Sequence, residues 1–412
     1  MTETYNFSSG LKKAAALFLG IGLLAVIVGA LLAGGHGIDR VWSNLLIDTY
    51  YFTGIGLASI FLIAAHQIGY GGWHILIKRI PEAMGSIVPV MGIFLLIILA
   101  GTLFHGHHLY FWAAEGIHDP ASPNYDALIA ETTGKSVYLN PVFYAIRIVA
   151  YVALWTAAIF AMRNISKKED ILGVSATYQK SKYIAAIFIL IFAVTSSTGA
   201  WDISMSVDPH WYSTLFGWYN FASYMVGALA IMIVMVAYLK SQGYLKDVNE
   251  EHYHNLGMFM FGFSVFYTYL WFSQFMLIWY GNMPEETAYF AQRFSNPLFK
   301  FLFFASLIIN FFFPFLVLLK RKSKRNVELL VFVAIVLFFG HWLDFYNQIT
   351  PGTMTDHKTH ESHAGFGLIE FGMLSTFVGI FIFVVFNTLT KQSLIPVNNP
   401  YLRESITHHT LK

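Results

Sequence analysis

Residues 199–219 read GAWDISMSVDPHWYSTLFGWY and lie between two long apolar runs. The stretch contains two aspartates and a histidine but no lysine or arginine, and aromatic side chains follow Pro209. Apolar runs on both sides of a short acidic corner indicate two membrane helices joined by an outer turn. The fold prediction therefore starts from a helix hairpin that crosses a bilayer.

The composition of the whole chain also indicates a membrane protein. Of its 412 residues, 56% are hydrophobic and only 12% are charged, whereas soluble domains are roughly 25% charged. The apolar runs are about twenty residues long and do not alternate with polar residues, which favours transmembrane helices over barrel strands. The net charge of +2 comes from basic residues in loops, so it does not indicate a nucleic-acid partner.

Cysteine is absent from the chain. Disulfides, cysteine-ligated iron–sulfur clusters and covalent c-type haem are thereby excluded on this chain. The sequence also contains no nucleotide-binding fingerprint and no nucleophile elbow. We expect no cofactor and no metal on this chain, so any redox centres would belong to partner subunits.

Ten apolar runs are long enough to cross a bilayer, and no soluble domain separates them. The sequence predicts an all-α integral membrane protein with a single polytopic domain over residues 1–412. The predicted spans are 13–34, 49–77, 87–110, 140–162, 181–201, 213–239, 255–281, 297–319, 327–347 and 365–389.

Lysine and arginine side chains divide unequally between alternate connections. One side holds 19 of them, and the other holds only Arg40, Lys135, Arg293 and Lys358. Because basic residues accumulate in cytoplasmic loops, we expect both termini to be cytoplasmic.

A short repeat occurs four helices apart. The fifth span ends with Gly199-Ala-Trp-Asp202 and the ninth with Gly340-His-Trp-Leu-Asp344. Two parallel structural repeats produce such a pattern. We therefore expect two four-helix bundles, helices 2–5 and helices 6–9, with helices 1 and 10 at the periphery.

Six ionisable side chains are predicted to lie near the outer ends of their spans at a common depth. Charges inside a bilayer pair with one another or face a wet cavity, and a carboxylate beside a histidine tunes its protonation. We expect either an outer proton path or a structural arginine with carboxylate partners. The residues are His105, Arg147, Asp202, His341, Asp344 and Glu370.

Further histidines allow other interpretations. His66 is placed deeper in the second span, either as a hydrogen-bonded core histidine or as the inner step of the same path. A haem between His105 and His341 is disfavoured, because a second haem would need another matched pair. A metal at His357, His360 and His363 with His107 and His108 is disfavoured too, since no thiolate or clustered carboxylate completes the set. We expect a solvated polar loop there.

The stretch Trp201–Gly217 resembles the membrane subunits of bacterial alternative complex III, which are similar to the NrfD and polysulfide-reductase membrane anchors. The segments 361–370 and 399–405 have the same character. The resemblance implies a respiratory quinol:cytochrome c or quinol:acceptor oxidoreductase complex in the bacterial inner membrane. It also implies partners: a related NrfD-like membrane subunit, periplasmic iron–sulfur and multihaem cytochrome c subunits, and a terminal oxidase.

Within that family the compact loops favour the ActF-type subunit. The resemblance then implies a proton-translocation path and an assembly scaffold, with menaquinol or another quinol bound at the level of the complex and haem c and iron–sulfur clusters on partners. Such a subunit is not catalytic alone. The alternatives are the quinol-binding sister subunit of the same complex and a secondary transporter, because transporters also contain repeats and intramembrane polar groups.

Overall fold

The computed structural model describes residues 3–122, 124–126, 129, 133–172, 174–356 and 361–409. Regular structure in these residues is helical, and ten of the helices are long and apolar enough to cross a bilayer. The predicted all-α fold with ten spans is confirmed, and the chain is a multi-pass membrane protein. In chain order the helices are α1 (Ser9–Leu32), α2 (Gly37–Ile68), α3 (Ile75–Leu103), α4 (Pro141–Leu172), α5 (Val174–Ile203), α6 (Leu215–Ser241), α7 (Glu250–Gly281), α8 (Pro297–Leu318), α9 (Val327–Met354) and α10 (Leu368–Leu389).

The second helix differs most from its predicted position. The sequence predicted a span over 49–77, whereas α2 begins and ends earlier, at Gly37 and Ile68. Its first turns carry polar residues such as Asn44 and Asp48, which lower the hydropathy of this part of the sequence. The structure buries both side chains against other helices, so they do not meet lipid. A glycine-rich segment then ends the helix.

The third helix ends before the predicted limit of 110. The regular part of α3 stops at Leu103, and His105 has a positive φ of 53°. The backbone N–H of Gly106 donates to the carbonyl of Gly101 and turns the chain back. His105 therefore lies after the helix rather than inside the membrane-spanning segment.

Helix α2 occupies the centre of the molecule. It contacts α3, α5, α6, α9 and α10, and 94% of its most apolar part is buried inside the protein. A helix surrounded in this way contacts other helices instead of lipid. Its polar side chains therefore need hydrogen-bond or charge partners on those helices.

The remaining contacts form two sets of neighbours. In the first set α2 packs on α3 and α5, α3 packs on α4, and α4 packs on α5. In the second set α6 packs on α7 and α9, and α8 packs on both α7 and α9. Contacts of α2 and α5 with α6, and of α2 with α9, join the two sets.

Helix α1 is held mainly by α10. Gly22 and Gly372 face each other so closely that a Cβ atom on Gly22 would lie 2.6 Å from the carbonyl oxygen of Gly372. Gly379 likewise approaches the backbone of α1 at Ala15. Small residues at such a crossing allow two membrane helices to pack backbone to backbone.

Alternate connections lie at opposite ends of the bundle. We call the end with the beginning of α1 and the connections 69–74, 242–249 and 319–326 the basic face. The opposite end, with the connections 33–36, 204–214 and 282–296 and the described residues of 104–140 and 355–367, we call the acidic face, after the residues that each carries.

Candidate functional site

Two of the predicted residues, His341 and Asp344, lie on a buried side of α9. They are three residues apart on a helix, so their side chains are neighbours. The Nδ1 atom of His341 is 2.8 Å from the hydroxyl oxygen of Ser223 on α6. The histidine ring also lies edge-on against the ring of Tyr267 on α7, with 4.6 Å between the ring centroids. Three helices thus enclose His341.

Asp344 is held by neutral donors. The hydroxyl of Tyr219 donates to its Oδ1 atom at 2.5 Å, and Nε2 of Gln348 donates to Oδ2 at 2.8 Å. The hydroxyl oxygens of Tyr219 and Tyr267 are 3.5 Å apart. None of these donors carries a formal charge, and no ion pair of Asp344 occurs in the described part of the chain. We call His341, Asp344 and these partners the α9 cluster: Tyr219, Ser223, Tyr267 and Gln348.

A widened turn in α8 approaches the α9 cluster. Residues Ile308–Phe312 form a π-helical turn that contains Asn310. The Nδ2 atom of Asn310 donates to the carbonyl of Gly340 at 3.0 Å, and its buried Oδ1 atom has no hydrogen-bond partner among the residues that the structure describes. A Cβ atom on Gly340 would lie 2.2 Å from that oxygen. The glycine before His341 is therefore required for the approach of Asn310.

Arg293 lies on the acidic-face side of the α9 cluster, on the short helix Pro284–Ser295. Its guanidinium donates to the carbonyl oxygens of Asn347, Gln348 and Tyr289 at 3.1, 2.9 and 2.8 Å. It also stacks on the Tyr289 ring, 3.2 Å from the centroid. Burial lowers the pKa of Arg293, yet a guanidinium stays charged in proteins. Because Arg293 bonds the backbone carbonyl of Gln348 and the side chain of Gln348 donates to Asp344, this cation lies near Asp344 without a direct hydrogen bond to it.

Glu370 makes a direct ion pair that the sequence did not predict. The guanidinium of Arg40 donates to both carboxylate oxygens, with distances of 2.8 Å from Nη2 to each. Asn44 donates to the same carboxylate at 3.2 Å, and the backbone N–H of Gly367 donates at 2.7 Å. The sequence placed Arg40 in an outer loop, whereas it lies in the first turns of α2. Glu370 is thus a fully bonded charge that joins α10 to α2.

Asp48 on α2 has no such cation. It is completely buried, and its Oδ1 atom accepts a hydrogen bond of 2.8 Å from the indole Nε1 of Trp342 on α9. Its Oδ2 atom has no hydrogen-bond partner in the described residues. Asp48 was not among the predicted site residues, because it stands one residue before the predicted second span. The signal was the spacing of Arg40, Asn44 and Asp48, which places three polar side chains on one helical stripe.

Asp202 and Arg147 form a second closed ion pair. Arg147 on α4 donates through Nε and Nη2 to the two carboxylate oxygens of Asp202 on α5, at 2.8 and 2.9 Å. The hydroxyl of Tyr151 donates to the same carboxylate at 2.7 Å. The rings of Tyr138 and Phe143 cover the guanidinium. No hydrogen bond or ion pair between the described residues joins Asp202 to Asp344, so the predicted residues belong to separate groups.

His105 lines a cavity of about 610 Å³ at the acidic face. Thr353 also lines this cavity, and its hydroxyl is 2.7 Å from that of Ser43, which lies between Arg40 and Asp48 on α2. The cavity therefore reaches the level of the Arg40–Glu370 pair. We call it the outer vestibule; its other ionisable lining residues are His36, Asp39, His107, His108, Glu115, Asp356 and His363.

The vestibule histidines do not form a metal cluster in the described residues. His36 and His363 stack face to face with 3.8 Å between their ring centroids. His107 is buried, its Nε2 atom is 2.9 Å from the carbonyl oxygen of Ile98, and burial lowers its pKa. His357 and His360 lie outside the described residues. The arrangement supplies protonatable groups around the outer vestibule.

His66 lies at the opposite end of the molecule. It occupies the last turn of α2, closer to the basic face than predicted, and its Nδ1 atom is 2.8 Å from the carbonyl oxygen of Leu62. Its ring is 4.7 Å from that of His74. Burial, followed by the nearby His66 and Lys78, holds the pKa of His74 well below its ordinary value. Both histidines border a small cavity that Asn399 of the C-terminal tail helps to line.

The middle of α2 separates these two ends. The buried hydroxyls of Thr53 and Ser59 donate to backbone carbonyls, at 2.6 Å to Thr49 and 2.7 Å to Gly56. Such local bonds satisfy the hydroxyls within their own helix. Within the described residues, therefore, no hydrogen bond joins His66 to the α9 cluster.

No protein-family model matches the chain, and no curated protein matches it. The site is therefore interpreted from its own geometry.

The Asp202–Arg147 pair generates a stability prediction. Asp202→Asn leaves the guanidinium of Arg147, of whose side chain only 10% is exposed, without its counter-charge, and such a change costs about 3–5 kcal/mol in fully buried ion pairs. We expect thermal unfolding of the purified protein in detergent to shift to a clearly lower temperature. The exposed Glu285→Gln serves as the control and should leave it unchanged.

The double variant Arg147→Met with Asp202→Leu separates pairing from packing. Removing both charges should restore part of the lost stability, because neither partner is then left uncompensated. If Asp202→Asn is as stable as the parent protein, the pair does not hold α4 to α5.

Proposed function

We propose that this chain is a proton-conducting and scaffolding subunit of a respiratory quinol:acceptor oxidoreductase complex in a bacterial cytoplasmic membrane. In this proposal quinol is oxidised at the level of the complex, and haem c and iron–sulfur clusters belong to partner subunits on the acidic face. The resemblance of Trp201–Gly217 to the membrane subunits of alternative complex III supports the assignment to such a complex.

One observation carries the proton-conducting part of the proposal. Asp48 and Asp344 are buried carboxyl groups whose hydrogen-bond partners among the described residues are neutral donors, whereas Asp202 and Glu370 are bonded to arginines. A carboxylate paired with a guanidinium stays charged. A buried carboxyl group without a direct cation instead gains from binding a proton, since its charge is costly in an apolar interior.

The position of the two aspartates fits a path towards the acidic face. Asp48 accepts from Trp342 on α9, and Asp344 lies two residues further along α9 on a different side of that helix, so the two carboxyl groups are separate points of the proposed path. The outer vestibule lies beyond them, with His105 at its rim and Thr353 bonded to Ser43 at its floor. Asp48, Asp344 and His341 therefore form the core of the proposed path, and His66 with His74 marks its basic end. Asp202, Arg147 and Glu370, which form closed ion pairs, instead keep the helices together.

The packing and the charge pattern support two further parts of the proposal, namely the grouping of the helices into bundles and the orientation of the chain in the membrane. The two sets of neighbouring helices support an arrangement of two four-helix bundles, α2–α5 and α6–α9, with α1 and α10 at the side. The surplus of lysine and arginine at the basic face supports cytoplasmic termini.

Cysteine labelling checks this orientation, since the chain contains no cysteine. Single cysteines at the exposed positions Lys322 and Glu285 should react with an impermeant maleimide from opposite sides of right-side-out vesicles. We expect only Glu285→Cys to react before the membrane is opened. Labelling of Lys322→Cys in sealed vesicles would contradict the orientation.

Proton translocation by the purified complex tests the function itself. The amides in Asp48→Asn and Asp344→Asn keep the shape of the side chain but cannot take up or release a proton. Each variant should therefore lower proton release per electron by roughly tenfold or more. Quinol oxidation should continue, and the variants should co-purify with their partners. Release is measured with a pH-sensitive dye in proteoliposomes.

Glu285→Gln, which removes an exposed acid from the acidic face, is the matched control. If both aspartate variants translocate protons at the parental ratio, the path does not run through these residues.

Two alternatives lead to different outcomes. A secondary transporter is favoured by the open outer vestibule of about 610 Å³, and it would be purified without haem-containing partners and transport a solute alone. The quinol-binding sister subunit would retain quinone after purification of the single chain. The proposed subunit should co-purify with haem-stained proteins and retain no quinone of its own.

A further inference from the structure

An apolar groove of about 590 Å³ opens between α1, α6, α9 and α10. Close packing holds α1 against α10 at Gly22 and Gly372, which leaves a gap on the side of α6 and α9. Leu11, Tyr238 and Phe386 line the groove near the basic face, and Phe371 lines it near the acidic face. The groove therefore extends along the membrane normal for much of the bilayer.

The inside of this groove offers no group for a polar ligand. Its walls are aliphatic and aromatic, and the hydroxyl of Ser375 already donates to the carbonyl of Phe18 at 2.8 Å. The hydroxyl of Tyr238 lies 3.4 Å from that of Ser8 at the groove end. An apolar space of this kind stays dry and takes up hydrocarbon. A quinone ring, which needs hydrogen bonds to its carbonyls, has no partner there.

The end of the groove at the basic face is positively charged. Lys12 and Lys13 are exposed in the first turns of α1, directly after Leu11. The Lys12 ammonium lies 5.3 Å from the centroid of the Phe7 ring, and Phe7 stacks on Phe386 of the groove wall. Paired lysines next to a membrane helix attract anionic lipid headgroups.

We propose that the groove is a binding site for an anionic phospholipid, with an acyl chain between the four helices and the phosphate at Lys12 and Lys13. The bound chain fills the gap that the glycine contact of α1 with α10 leaves, and it attaches α1 to the rest of the bundle. The site is independent of the proton path proposed above.

Native mass spectrometry of the full-length protein tests this site. The protein is reconstituted with equal amounts of phosphatidylglycerol and phosphatidylcholine, and the lipid that stays bound after release is identified. We expect retention of phosphatidylglycerol. The double variant Lys12→Gln with Lys13→Gln should lower the ratio of bound phosphatidylglycerol to phosphatidylcholine by roughly 10- to 30-fold. Lys320→Gln with Lys322→Gln, elsewhere on the basic face, is the matched control and should keep the parental ratio.

Filling the groove with a larger side chain provides a second, independent test of the lipid site. Val234→Trp on α6 and Ile382→Trp on α10 place an indole in the space of the acyl chain, so each should lose the bound lipid. Val194→Trp, at an exposed position outside the groove, should keep it. The proposal would be overturned if the parent protein retained both lipids equally or if the lysine variant kept the parental ratio. It would also be overturned if both tryptophan variants still bound lipid, or if a quinone were found in the groove instead of a lipid.

Discussion

A charged or strongly polar side chain inside a bilayer must find its partner within the protein, because the hydrocarbon core offers neither water nor hydrogen bonds. This constraint organises the molecule around α2. The helix carries Arg40, Asn44 and Asp48 along one stripe, and their partners Glu370 and Trp342 lie on α10 and α9. Helices α9 and α10 must therefore pack on α2, although hundreds of residues separate them in sequence. The central position of α2 is a consequence of its polar residues as much as of its apolar ones.

The same constraint divides the buried carboxyl groups into two classes. Asp202 and Glu370 are bonded to guanidinium groups in two-point contacts, which fix both the charge and the geometry. Within the described part of the chain, Asp48 and Asp344 receive hydrogen bonds from neutral side chains alone. The first class holds helices together, and the second class is able to change its charge without breaking an ion pair. The proposed proton path needs both classes of carboxyl group, because the groups that titrate must be held in place by ion pairs that do not.

The sequence predicted the ten spans and the burial of Asp202, His341, Asp344 and Glu370, because hydropathy and the cost of intramembrane charge are local properties. It did not predict the limits of α2, since a buried helix that pairs its polar residues with other helices looks like a loop by hydropathy. It also missed the pairing of Arg40 with Glu370, which are 330 positions apart, and the role of Arg293, whose donors reach backbone carbonyls rather than a carboxylate. His105 was assigned to a helix that ends two residues earlier. Pairing across the fold depends on packing, which a single sequence does not reveal.

The charge state of Asp48 tests the central claim most directly. Infrared difference spectroscopy on protein labelled with ¹³C-aspartate distinguishes a protonated carboxyl group from a carboxylate by its carbonyl stretching band. At neutral pH the account predicts protonated-acid bands from Asp48 and Asp344 in the parent protein, so Asp48→Asn should remove one component of this signal and Asp202→Asn should remove none. A spectrum in which Asp48→Asn removes only a carboxylate band would show that Asp48 is ionised, and would contradict the division of the buried acids on which the account depends.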